Sequence, residues 1–243
     1  MKSNIILFYA ILQIINLQSL QAQKSFSGDN ADQTNYELYL TGELFTPDFI
    51  VDGTTYFNSE WLPGDIYLSN GGVVRNKLIK YNGLLDELFW QEPRSGNVIK
   101  LDKEEILKFH FQNLNGDSSV YFRKIRIRRN ALTDSSEIFA QVVYEGSLSL
   151  YILHTYMTAG TELVRQNGNL FEKTNYVGEP VYVFRLTNNK TLVFKSLNRK
   201  KLYSISPDNS EKIKEYLKTN RTGEFKDISF LRKLTQFLDT IVN

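Results

Sequence analysis

The sequence predicts a mainly β protein: an antiparallel meander, built as a sandwich or a partly closed barrel, followed by two short C-terminal α-helices. Three observations support this prediction. Short segments that alternate between apolar and polar residues recur along the chain and are separated by turn residues. Aromatic residues, which favour strands, make up 13% of the 243 residues. After residue 200 the alternation gives way to a helical period.

The first 22 residues are predicted to be an export signal. Lys2 is the only charged residue among them, an apolar run extends from residue 4 to residue 17, and a small residue, Ala22, precedes Gln23. A helix of ~13 residues rises only ~20 Å, which is too short to cross the ~30 Å hydrocarbon core of a bilayer. We therefore expect a periplasmic or extracellular, outer-surface protein that is not an integral membrane protein after processing.

Behind the signal, residues 23–35 are polar and are predicted to form a flexible N-terminal arm. Residues 36–200 are predicted to form the antiparallel β region, with two sub-sheets at 36–112 and 118–200 as one arrangement. Its hairpin turns contain Gly or Asn, which tolerate positive φ. The clearest turns are Asn70-Gly71-Gly72, Asn82-Gly83 and Glu145-Gly146.

Residues 157–180 show little periodicity, and the sequence leaves their structure open. Three glycines and Pro180 interrupt the segment, and a loop of this length is uncommon inside a compact domain. Either a further strand lies at 170–173, or the segment is a mobile surface flap.

Residues 201–243 are predicted to form a helical appendage with two amphipathic helices. Ser206 is the expected cap of the first helix, with Pro207 in its first turn, and Asp227 is the expected cap of the second. Short helices are not stable alone in water, so we expect both to pack on the sheet or on each other. The second helix carries a wide apolar stripe formed by Leu231, Leu234, Leu238 and Ile241.

Several short sequence motifs are spread over most of the chain. They are Trp61–Leu68, Lys80–Asn82 with Asp86–Leu88, Leu101–Ile106 with Phe109, and, in the tail, Pro207-Asp208, Ile213, Tyr216, Lys218 and Asn220. Together with the Ala22–Gln23 junction, they resemble an uncharacterised family of exported, signal-peptide-bearing β-rich proteins of Bacteroidota. The resemblance implies export and a β-rich fold, and it assigns no functional residue.

The composition excludes several classes of site and partner. The chain has no cysteine, which rules out a disulfide framework, a thiol nucleophile, a zinc–thiolate site and the lipid anchor of a bacterial lipoprotein. The formal net charge is +2 at pH 7 and falls to +1 without Lys2, which argues against nucleic-acid binding through bulk charge. No cofactor or metal motif is present, so we expect no cofactor.

The densest group of charges is predicted to form a cationic stripe on one strand. Lys124, Arg126 and Arg128 alternate with isoleucines, so the three cations share a face at a spacing of ~6–7 Å. Such a stripe can bind a polyanion such as an acidic glycan or lipid headgroups. The alternative is a solvated face, or cross-strand pairing with a carboxylate such as Glu137 or Glu145.

Aromatic residues and histidines supply the remaining candidates. Trp61 lies in a predicted loop and is the best candidate for a surface ring that stacks on a glycan. Trp90 lies on a strand with apolar residues on both faces and is expected to be buried. His110 is expected on the outer face of its strand and His154 at a strand end, and neither has the spacing of a metal ligand.

Three functions remain open. The favoured one is a non-enzymatic module that binds a protein partner, an anionic glycan or another envelope component. The second is a polymer-degrading hydrolase, although the pairs Asp86-Glu87 and Glu104-Glu105 point to opposite strand faces and form no catalytic dyad by themselves. The third is a carrier that holds a lipid or a small apolar ligand inside a closed barrel.

Overall fold

The computed structural model describes residues 26–27, 39–46, 50–52, 55–114, 118–128, 135–166, 168–188, 190–220 and 225–242. The predicted export signal lies outside these residues. So does the predicted flexible arm, apart from Phe26 and Ser27. Within the described part, the chain forms fourteen strands, three α-helices and two 3-10 turns.

In chain order, the strands are β1 (Phe26–Ser27), β2 (Tyr39–Leu40), β3 (Gly42–Leu44), β4 (Ile50–Asp52), β5 (Leu62–Leu68), β6 (Val73–Asn82), β7 (Glu87–Gln91), β8 (Val98–Leu101), β9 (Ile106–Leu114), β10 (Ser118–Arg128), β11 (Ser135–Tyr144), β12 (Leu148–Gln166), β13 (Asn169–Leu186) and β14 (Thr191–Phe194). The helices are α1 (Arg199–Tyr203), α2 (Ser210–Thr219) and α3 (Ile228–Val242). The 3-10 turns at Lys103–Glu105 and Pro207–Asn209 precede β9 and α2.

Most strands build one large antiparallel sheet, which confirms the predicted fold class. Its order is β14-β13-β12-β11-β10-β9-β5-β6-β7-β8-β3, with β4 added in parallel to β13 and with β1 and β2 paired separately. Two meanders, β5–β8 and β9–β14, are thus joined where β5 pairs with β9. Among the described strands, β14 and β3 end the sheet without pairing to each other, so the sheet is not closed into a barrel.

The amino-terminal half of the sheet curls around an aromatic core. Phe109 on β9 and Phe122 on β10 stack with ring centroids 4.9 Å apart. Tyr81 on β6 meets Phe139 on β11 at 6.1 Å, although several strands separate β6 from β11 in the sheet. The sheet must therefore curve strongly to bring these rings together. Trp90 is buried at 1% exposure, as its strand pattern predicted.

The turn between β6 and β7 is tied to β11 through Asp86, which adopts the left-handed conformation with φ of 57°. The Asp86 carboxylate accepts hydrogen bonds from Tyr81 Oη at 2.7 Å and from the Phe139 backbone N–H at 3.1 Å. Its second oxygen pairs with Lys103. These bonds fix the turn against β11.

The helices cover the opposite end of the sheet. The three central leucines of the predicted stripe on α3 are fully buried. Asp239 on α3 accepts hydrogen bonds from Tyr144 Oη at 2.9 Å and from the Leu148 N–H at 2.6 Å, so the helix is fixed to the β11–β12 turn. In the described part of the chain, no helix combines the length and apolarity needed to cross a bilayer.

The helix caps follow the sequence prediction in one case out of two. Asp227 caps α3 as predicted, with its Oδ1 accepting from the Ser229 N–H at 2.8 Å. Ser206 makes no side-chain capping bond, because Pro207 begins a 3-10 turn and α2 starts only at Ser210. The short helix α1 was not predicted.

Strands β12 and β13 continue through residues 157–180, the segment whose structure the sequence left open. Their pairing extends from Leu148 opposite Leu186 to Gln166 opposite Asn169. The apolar alternation is weak there because both faces meet solvent and because a β-bulge between Thr158 and Gly160 shifts the register. The segment is therefore a paired hairpin and not a loop. We call residues 157–178 the outer hairpin.

Candidate functional site

The outer hairpin displays apolar side chains to solvent. Leu163 is 72% exposed and Leu170 is 62% exposed, and the two lie on one face near the tip. Met157 and Val177 are half exposed and lie opposite each other on the other face. Exposed apolar side chains that are grouped together mark an interaction surface better than side chains that are scattered singly.

One edge of the outer hairpin has no strand beside it. β11 pairs with β12 only between Leu150 and Ile152. Among the described residues, no strand pairs with positions 157–166 on that side. This stretch contains neither Lys nor Pro, two residues that protect free edges from pairing. Its backbone is therefore a template on which another strand can pair.

The opposite edge of the outer hairpin already carries an added strand. Ile50–Asp52 pairs in parallel with Lys173–Asn175, far along the sequence from β13. Backbone hydrogen bonds between these segments do not depend on a particular side chain. The hairpin therefore accepts an extended segment at one edge and leaves the other edge open in the described part of the chain.

A cavity of about 320 Å³ lies at the base of the outer hairpin, between β12, β13 and the start of α3. Its wall is mainly apolar and includes Ile152, Tyr156, Gly178, Pro180, Tyr182 and Ile228. Tyr156 Oη donates to the Tyr56 carbonyl oxygen at 3.1 Å, and Tyr182 Oη donates to the Phe225 carbonyl oxygen at 3.2 Å. Because both hydroxyls are used in these bonds, the two residues offer mainly their rings to the cavity.

His154 also lines this cavity. Its Nε2 lies 2.8 Å from Gln141 Oε1, and its ring meets the Phe57 ring edge to face at 4.8 Å. Burial lowers the pKa of His154 to about 4, so the imidazole is neutral at pH 7. The expectation that His154 ends a strand is wrong, because β12 continues for twelve residues beyond it to Gln166.

The three residues of the predicted cationic stripe all lie on β10. Arg126 pairs with Glu137 across the β10–β11 ladder at 3.1 Å, as the cross-strand alternative predicted. Lys124 Nζ lies 5.8 Å from the centroid of the Phe139 ring. Arg128 ends β10, and its side chain lies outside the described part of the structure. Anion binding by these three residues stays a prediction.

Trp61 is partly buried, and its ring shares a lysine neighbour with the ring of Tyr56. Lys80 Nζ lies 5.6 Å from the Trp61 ring centroid and 4.6 Å from that of Tyr56. Any glycan that stacks on Trp61 therefore meets a ring that already contacts a cation. Glycan stacking by Trp61 also stays a prediction.

His110 lies on the strand face opposite Phe109 and Phe111, as the alternation predicted, yet it is only 7% exposed. Tyr121 stacks on its ring at 4.8 Å, and Asp65 Oδ2 lies 3.7 Å from its Nε2. Burial lowers the pKa of His110 in spite of the nearby carboxylate. The side chain is thus covered by a neighbouring tyrosine and does not project into solvent.

Two of the four carboxylates considered for hydrolysis have structural bonds. Asp86 is held by Tyr81, Phe139 and Lys103, and Glu105 accepts from Thr41 Oγ1 at 2.6 Å. Among the described residues, no three His, Asp or Glu side chains are grouped as metal ligands. The outer hairpin and the cavity at its base are therefore the candidate functional sites of the described structure.

The chain matches no protein-family model, no curated protein and no solved structure. The resemblance to exported proteins of Bacteroidota therefore stays a prediction.

Sequence reasoning named a strand at 170–173 as one alternative, but it missed the extent of the outer hairpin and the cavity, although a signal for the hairpin was present. The strand-forming residues Leu170, Phe171, Tyr176 and Val177 cluster just after Gly168, which has a positive φ of 85° at the hairpin turn. The cavity had no such signal, because its wall joins β12, β13 and α3 from distant parts of the chain.

Proposed function

We propose that the protein is an exported, non-enzymatic binding module, and that the outer hairpin is the surface that holds its partner. The partner is a protein of the cell envelope that adds an extended strand to the open edge of β12. The observation that carries this proposal is the coincidence of an uncovered strand edge with exposed apolar side chains on both faces of the same hairpin.

Two further observations support a protein partner over a polyanion. Residues 157–166 carry one Glu and one Arg, so this edge has no net charge. The other edge of the hairpin already pairs with Ile50–Asp52 through its backbone. An uncharged edge with apolar flanks suits a strand that alternates apolar and polar residues, because its side chains can then cover both faces of the hairpin.

A crosslinking experiment in native cells tests the binding surface. A photo-reactive residue is placed at Thr161 on the open edge of β12 or, as the control, at Leu107, which is 53% exposed on the central strand β9. We expect one discrete adduct from position 161 and none from position 107. Adding Leu163→Lys should abolish the adduct, because a lysine charge opposes strand addition. The same adduct from both positions, or none from either, would contradict the proposal.

A separate measurement tests export. Cells are fractionated, and the N-terminus of the mature protein is determined by mass spectrometry. We expect a chain that begins at Gln23, in part as pyroglutamate, in the periplasmic or surface fraction. A full-length chain starting at Met1 in the cytoplasmic fraction would overturn this part of the proposal and leave the crosslinking result independent of it.

A further inference from the structure

The cavity at the base of the outer hairpin has the size and wall of a small-ligand site. Its volume of about 320 Å³ falls at the lower end of the range for ligand pockets, roughly 300–1,000 Å³. Gly178 leaves open the space that a side chain would fill beside Tyr156. The two tyrosine rings and three aliphatic residues give a ligand apolar contact on several sides. The volume of the cavity suits a molecule with a single ring or with two fused rings.

His154 supplies an acceptor that lacks a partner. Since Gln141 Oε1 accepts from Nε2 of His154, the proton of the neutral imidazole is on Nε2 and its Nδ1 has a free lone pair. Among the described residues, the imidazole makes no hydrogen bond other than the one to Gln141. A bound molecule should therefore place one N–H or O–H donor there.

The charges around the cavity favour an uncharged ligand. Glu179 and Lys226 both line it, and they contribute one charge of each sign. Their potentials have opposite signs, so the net charge of the lining favours neither an anion nor a cation. The apolar wall would also make burial of a charged ring costly.

We propose that this cavity binds a small uncharged aromatic molecule that donates one hydrogen bond, of the indole or phenol class, to His154 Nδ1. The cavity is separate from the strand edge of β12, so ligand binding there does not depend on the proposed protein partner. It does not require the closed barrel considered from the sequence.

The test compares indole with 1-methylindole, which has nearly the same shape and no donor. Each is titrated into ¹⁵N-labelled mature protein, and the NMR signals of Gly178, Tyr156 and Ile228 are followed. We expect saturable shifts with indole and binding by 1-methylindole that is roughly tenfold weaker. Equal binding of the two probes, or no saturable shift at these residues, would overturn the proposal.

A matched pair of variants locates the binding. A Cβ at Gly178 would lie 3.5 Å from the Tyr156 ring, which is an ordinary contact, so Gly178→Leu should fold and fill the cavity. Gly160 has nothing within 4 Å of such a Cβ, so Gly160→Leu adds the same side chain on the neighbouring strand outside the cavity. We expect indole affinity to fall at least about tenfold in Gly178→Leu and to be unchanged in Gly160→Leu. Unchanged binding in a folded Gly178→Leu would refute the site. If that variant does not fold, the two-probe comparison on the unaltered protein still decides.

Discussion

The turn between β6 and β7 and the outer hairpin are both β-hairpin ends, yet they meet their surroundings in opposite ways. Asp86 in the turn holds Tyr81, Phe139 and Lys103. Strand β7, which follows this turn, buries Trp90 at 1% exposure. The outer hairpin leaves Leu163 72% exposed. The first region is fixed by long-range bonds, whereas the second is held mainly by its own ladder.

This contrast separates structural residues from candidate binding residues. Where polar groups are hydrogen-bonded and apolar groups are buried within the chain, as around Asp86, they are not available to bind a partner. Where apolar side chains are exposed beside an unpaired strand edge, as at Leu163, a partner can still bind. Substitutions should therefore affect stability in the fixed region and binding in the outer hairpin.

The largest effect is expected from Asp86→Ala. It leaves Lys103 without its counter-ion and removes the acceptor of Tyr81 Oη and of the Phe139 N–H, so the free energy of unfolding should fall by about 3–5 kcal/mol. Asp86→Asn keeps an acceptor oxygen and tolerates positive φ, so its loss should be about 1 kcal/mol. Urea unfolding measures both. A loss below 1 kcal/mol for Asp86→Ala would mean that the turn is not fixed as described.

A second comparison uses the same glycine-to-alanine change in both regions. At Gly83 a Cβ would lie far inside van der Waals contact with the His154 carbonyl oxygen, so Gly83→Ala should cost about 2–3 kcal/mol. At Gly160 a Cβ meets nothing, so Gly160→Ala should be neutral or stabilising by up to about 1 kcal/mol. Equal losses in thermal or urea unfolding would show that the outer hairpin is as tightly packed as the turn.

The fold was predictable where alternation and turn chemistry agree. The hairpin turn at Asn70–Gly72, the burial of Trp90 and the leucine stripe of α3 all follow from local patterns. The length of β12 and β13 was not predictable, because a strand with both faces in solvent needs no apolar alternation and a bulge shifts what alternation remains. The open ends of the sheet depend on curvature, which no local pattern encodes.

The candidate site was less predictable than the fold. His154 could be placed on a strand from its neighbours, and Gln141 lies on the adjacent strand β11. Its contact with Phe57, however, joins distant parts of the chain that only the curled sheet brings together. Arg126 shows the opposite case, because its partner Glu137 lies on the adjacent strand and was named from the sequence. Cross-strand neighbours can be predicted, whereas contacts across a curved sheet cannot.

The pH dependence of stability tests how well His154 is enclosed. Its pKa is lowered to about 4 in the folded protein, against about 6.5 when unfolded, so the unfolded state binds the proton first as the pH falls. Stability should be retained above pH 6.5 and decline between pH 6.5 and pH 4, by about 2 kcal/mol between pH 7 and pH 5. Urea unfolding at both pH values measures this decline. In His154→Gln, the free energy of unfolding should not show this contribution to the fall between pH 7 and pH 5. The same slope in both proteins would show that His154 is open to water.

The smallest effect is expected at the tip of the outer hairpin. Leu163 is 72% exposed, so Leu163→Ala removes little buried surface and should change the free energy of unfolding by less than about 0.5 kcal/mol. The same change at Leu88, which is 1% exposed on β7, should cost about 2–5 kcal/mol because it leaves a cavity in the core. Urea unfolding of the purified protein measures both. If Leu163→Ala lost as much as Leu88→Ala, the tip would be covered in solution by the chain itself, and its apolar side chains would not be available to a partner.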